Sequence, residues 1–177
     1  EETRPVTDDS GRGVGAPVWA FDNATLLYLK DEIGDDNARL FAVDAGGGPS
    51  RAMTPAGARA EIVGLSASDP GAVMVALNLR DRAWPDLYRI AIASGARELV
   101  YRNTNTPAEP GISRFILDRD NQLRLGVRPS PVSRDATTTL AMRAVTARPP
   151  RKSRYRRPSS SQSSEPLPRT KVTGRGG

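Results

Sequence analysis

The chain reads as all-β: a partial β-propeller of about two and a half four-stranded blades with a disordered basic C-terminal tail. Three observations carry this. Apolar and polar residues alternate over short runs, the period of a strand with one buried face. A strand–turn–strand pattern returns after 47 and then 50 residues, from Leu26 to Val73 to Leu123. Near residue 143 the alternation stops and Arg, Pro, Ser and Gly take over. The expected division is an N-terminal extension over 1–14, a partial propeller over 15–143 and a tail over 144–177.

In the first repeat, "PVWAFDNATLLYLKDE" (17–32) predicts strands at 18–21 and 26–31 around an Asp22-Asn23 turn. Asp and Asn suit that turn because they tolerate left-handed backbone angles and hydrogen-bond their own backbone. Strands at 39–44 and 50–54 follow, separated by glycines. The second repeat predicts strands at 62–66, 73–79, 86–92 and 97–102, with Asp69-Pro70-Gly71 in the matching turn. Leu40 and Leu87 again lie 47 residues apart. A third repeat starts at 112 and turns through Asp118-Arg119-Asp120-Asn121. β-Branched and aromatic residues such as Val73, Val75, Tyr88 and Ile90 crowd these runs, as strands favour. Four strands per repeat of this length is the period of a propeller blade, whereas a helical solenoid needs apolar residues every three or four positions. A β-sandwich with evenly spaced hairpins is the alternative.

Composition removes whole classes of chemistry. The chain has no cysteine, which excludes disulfides and thiolate chemistry. It has no histidine, and so no Ser–His–Asp triad within these residues. No run of 18 apolar residues occurs, and no signal-peptide pattern is visible; the expected location is cytoplasmic. The net charge of +6 divides unevenly. Residues 1–140 carry −3 and residues 141–177 carry +9.

Asp31, Glu32, Asp35 and Asp36 cluster around Gly34, but without the ligand spacing of a calcium loop. They read as a solvated hairpin turn, and no metal or other cofactor is expected. Trp19, Phe21, Tyr28 and Phe41 read as packing between blades. Arg80 and Trp84 stand in the turn "RDRAWPD" and are the candidate interface residues. Trp84 is expected to be exposed there, and Arg80, Asp81 and Arg82 to form a surface ion pair of little energetic weight.

Three stretches together resemble the N-terminal propeller of the prolyl oligopeptidase family of serine peptidases, of the bacterial dipeptidyl aminopeptidase/acylaminoacyl-peptidase type. They are "PVWAFDNATLLYLKDEIGDDNARLFAVD", "MTPAGARAEIVGLSASDPGAVMVALNLRD" and "DLYRIAIASGARELVYRN". The resemblance covers roughly residues 15–143. It implies a parent enzyme in which the propeller covers the active site and filters peptide substrates by size. An α/β-hydrolase domain would be the propeller's partner and would carry the chemistry: a Ser in a G-x-S-x-G elbow, an Asp and a His. This chain has no such elbow. Its nearest matches, around Ser50 and Ser66, fall inside the repeats. The expectation is therefore a propeller portion without the catalytic domain, inactive alone.

The tail, "AMRAVTARPPRKSRYRRPSSSQSSEPLPRTKVTGRGG", has too few apolar residues to offset chain entropy and is expected to be disordered. Its composition leaves three readings: a shifted reading frame, a solvated tail, or an anion-binding segment. In the third, Arg151, Lys152, Arg154, Arg156 and Arg157 would bind phosphates by counterion release. The rival function is accordingly a non-catalytic propeller-like module with a basic tail for an anionic partner such as nucleic acid.

Overall fold

The structure is a computed structural model that describes residues 6–7, 14–31, 34, 36–129 and 143–144. All regular structure among them is β. Blade 1 consists of β1 (Gly15–Trp19), β2 (Thr25–Lys30), β3 (Arg39–Asp44) and β4 (Arg51–Ala52). Blade 2 consists of β5 (Ala60–Leu65), β6 (Ala72–Leu77), β7 (Asp86–Ala91) and β8 (Arg97–Tyr101). Blade 3 holds β9 (Arg114–Leu117), β10 (Leu123–Val127) and β11 (Arg143–Ala144). Each sheet is an antiparallel meander with its strands in chain order. That is the partial propeller the repeat predicts. β1 begins earlier than the sequence suggested, and β4 is only two residues long.

Alternation along each strand sorts side chains between two sheet faces. In β6, Val73, Val75 and Leu77 join Leu27, Leu40 and Ile90 in a core between blades 1 and 2. The intervening Met74 and Ala76 pack with Leu87, Ile112, Phe115 and Leu123 between blades 2 and 3. All six β6 residues are buried, because a middle blade is covered on both faces. Val73, Val75, Leu77 and Ile90 are fully buried; each such side chain contributes about 1.5–3 kcal/mol relative to exposure.

The first hairpin of every blade carries a register shift: between Gly15 and Val18, between Ile62 and Gly64, and between Leu123 and Leu125. A bulge adds local twist and bends its strand. The extra residue lies on the first strand in blades 1 and 2 and on the second strand in blade 3.

The turn chemistry is the one the repeat implied. Asp22 accepts from the Ala24 and Thr25 amides at 3.0 and 2.9 Å and from the Thr25 hydroxyl at 2.6 Å. Asp118 accepts from the Asp120 and Gln122 amides at 3.0 and 2.8 Å. Asn23 and Asn121 both sit at φ 58°, where Asn is better tolerated than most residues. Asp31 accepts from the Gly34 amide at 2.7 Å and the Asp36 amide at 3.3 Å, so its carboxylate organises the turn. Glu32 and Asp35 lie outside the described residues.

The aromatic expectation needs correction. Tyr28 and Phe41 are buried and stacked at 5.5 Å, but Trp19 is 60% exposed and Phe21 48%. Trp19 pairs with Leu26, which pairs with Val43. Cross-strand partners share a face, and Val43 belongs to the cluster on the side of blade 1 away from blade 2. Trp19 therefore has no neighbouring blade to pack against among the described residues.

Candidate functional site at the junction of blades 2 and 3

The loop joining β6 to β7 carries the candidate interface residues. Asp81 shapes it by accepting from the Ala83 amide at 3.0 Å and the Trp84 amide at 3.2 Å. Asp86 then opens β7 opposite Leu77, and its side chain is 2% exposed.

Arg80 turns back onto Asp86. Its Nε and Nη2 donate to the two carboxylate oxygens at 3.0 and 2.8 Å, a bidentate pair of the geometry that suits guanidinium and carboxylate. Nη2 also donates to the Asn103 carbonyl. Hydrogen bonding to Asp86, against an opposing desolvation, holds the Arg80 guanidinium above its ordinary pKa. The expected surface ion pair within residues 80–82 is thus replaced by a pair with a buried carboxylate six residues on. Asp81 instead caps the loop, and Arg82 donates to the Gly57 carbonyl.

Asp86 also accepts from the Asn103 amide at 2.7 Å. Asn103 is fully buried and its side chain reaches across the junction. Nδ2 donates to the Pro85 and Ile112 carbonyls at 2.9 and 2.8 Å, while Oδ1 accepts from the Ile112 amide at 2.7 Å. Arg80, Asp86 and Asn103 thereby tie the end of blade 2 to the start of blade 3. Sequence reasoning assigned no role to Asp86 or Asn103; their signal was an Asp and an Asn bracketing the β7–β8 hairpin.

Trp84 is half-buried rather than exposed. A Cβ on Gly111 would meet its ring at 2.5–2.7 Å, so the indole lies directly over that backbone. Arg80 and Trp84 are brought to one junction, where the indole is half-buried and Arg80 stays partly in water while pairing with Asp86. Arg151, Lys152, Arg154, Arg156 and Arg157 lie outside the described residues.

Both serines of the near-elbow motifs sit beside strands. Ser66 sits just beyond β5, buried, and donates to the Arg119 carbonyl at 2.5 Å. Ser50 is an exposed residue preceding β4.

No protein-family model matches the chain. It is 36% identical over 131 residues to dipeptidyl aminopeptidase BIII of Pseudoxanthomonas mexicana, a match that takes in 73% of this chain and 18% of that enzyme's length. Among solved structures, a mutant of puromycin hydrolase superposes on 70% of the chain and 20% of its own, with a TM-score of 0.50 at 22% identity. TolB from Acinetobacter baumannii covers 71% of the chain at a TM-score of 0.47 and 18% identity. The chain thus spans about a fifth of the length of the peptidase it matches.

Proposed function

The chain is homologous to part of a dipeptidyl aminopeptidase and carries a propeller segment of the prolyl oligopeptidase family; on that premise we propose that it gates substrates for a serine peptidase and does no chemistry itself. The observation that carries this reading is the 36% identity extending over nearly three quarters of the chain. Two features agree with it. The chain has no histidine to activate a serine, and Ser66 is engaged with a neighbouring turn. The α/β-hydrolase partner and the peptide substrates belong to this proposal, as does the division at 15–143.

The test has two parts. The isolated chain is assayed with chromogenic dipeptide and acylamino-acid substrates, with no turnover expected. Turnover that survives replacement of Ser50 and Ser66 would sink the reading. Gating is tested in a chimera, with residues 15–127 in place of the matching stretch of the Pseudoxanthomonas enzyme. The chimera should cleave short peptides and spare folded proteins; digestion of a folded protein contradicts the gating role.

A further inference from the structure

We propose that a small pocket at the junction of blades 2 and 3 binds the carboxylate of a peptide, through Arg59 and Arg82. The pocket has a volume of about 170 Å³. That is below the 300–1,000 Å³ or so of sites that engulf a drug-sized ligand, and fits the end of a chain. Its floor is Ala76 and its walls include Glu61, Asn78 and Ser113. Glu61 pairs with Ala76 in the ladder, so both project toward blade 3, and Ser113 immediately precedes β9.

The backbones that carry the two cations are tied together from below. Asn78, 8% exposed, accepts from the Arg59 amide at 2.7 Å through Oδ1 and donates to the Arg82 carbonyl at 3.4 Å through Nδ2. One buried carboxamide therefore fixes the spacing of the two backbones that carry the guanidiniums. The Gly57 carbonyl anchors the Arg82 head group. No carboxylate among the described residues forms an ion pair with either arginine, although residues 1–140 are net acidic.

The pocket selects for one negative charge. Two arginines against one glutamate favour a monoanion, and Glu61 disfavours a dianion by like-charge repulsion. Glu61 can accept an N–H while the arginines take the carboxylate, a pairing that a peptide C-terminus or an acidic residue supplies. Both arginines and Glu61 are exposed at the rim, so binding is weak and screened by salt. The identification of the ligand as a peptide rests on the gating reading; the anion site itself does not.

The full chain is titrated with N-acetyl-alanyl-alanine, its C-terminal amide, N-acetyl-glutamyl-alanine amide and inorganic phosphate, following the amide shifts of Ala83 and Ser113. The free acid should saturate with a Kd of order 1 mM, and the uncharged amide should bind at least about tenfold more weakly. The glutamyl compound reports whether a side-chain carboxylate also serves. Arg59→Gln touches no side-chain hydrogen bond and should weaken the acid about fivefold or more, as should Arg82→Gln. Equal binding of acid and amide, phosphate binding as tight as the acid, or an unchanged Arg59→Gln overturns the site. Any of these leaves the chimera test of gating unaffected.

Discussion

Asn103 and Ile112 exchange two hydrogen bonds, amide to Oδ1 at 2.7 Å and Nδ2 to carbonyl at 2.8 Å. A side chain thus reproduces the two-bond pairing that a neighbouring strand residue makes in an antiparallel ladder. It does so where blade 2 ends and blade 3 has not yet begun to pair.

Asn103→Ala should be among the most destabilising single changes. It leaves the buried Ile112 amide and carbonyl, and the Pro85 carbonyl, without their partner. Unsatisfied buried groups cost about 1–3 kcal/mol each when they stay dry, so a loss of about 3 kcal/mol is expected. Urea unfolding checks it, with Thr104→Ala as an exposed neighbour that should change stability by less than about 0.5 kcal/mol.

Arg80→Met should cost about 2 kcal/mol. Breaking a fully buried pair costs about 3–5 kcal/mol, and the smaller figure reflects the third of the Arg80 side chain that remains in water. Arg80→Lys should recover only part of the loss, since an ammonium cannot make the bidentate contact. Full recovery by Lys in the same unfolding experiment would contradict the geometry.

Gly111→Ala should displace Trp84. The added methyl would lie 2.5–2.7 Å from the ring atoms Cδ2, Cε3 and Cγ, and these are too close to the Cβ hinge to swing aside. Overpacking of this kind costs about 1–3 kcal/mol. In a Trp19→Phe background, where Trp84 is the one remaining tryptophan, its emission should shift to the red. An unshifted spectrum would mean that the ring does not rest on this glycine.

Acid should remove a specific contribution at the blade 3 turn. The Gln122 amide, above all, holds the Asp118 carboxyl below the usual aspartate range; desolvation opposes it, and Arg124 and the Asp120 amide assist. Arg124 Nε donates to Asp118 at 2.7 Å. A depressed folded-state value means stabilisation that is present above the ordinary aspartate pKa and lost as pH falls through the lower one. The parent chain should therefore exceed Asp118→Asn in urea midpoint at neutral pH, and the gap should close as pH falls below the ordinary aspartate range. A gap independent of pH would assign the difference to something other than ionisation.

Much of the fold was legible because it is local. The Asp22 and Asp118 turns, and the unbroken apolar run of β6, are properties of a few consecutive residues. The near-identical spacing of the repeats turned those local elements into blades. The junction was not legible in the same way. Arg80 has an acid beside it in sequence, Asp81, yet pairs with Asp86, because Asp81 faces the loop amides. Trp84 follows a polar run and precedes a proline, both surface signals, yet a glycine 27 residues later supplies a surface for it to cover.

By itself the sequence determined the class of the protein: an all-β repeat without histidine or cysteine, and without a serine elbow. Those statements depend on residue types and periods, which need no knowledge of what lies opposite. Only the tertiary structure decided which residues act together. Trp19 is exposed because it lies on the edge strand β1, on the face of blade 1 that points away from blade 2, while Asn103 is buried because its side chain spans to the start of blade 3. Burial and partnership depend on the neighbouring sheet, and the chain reaches that neighbour only after a full blade has been laid down.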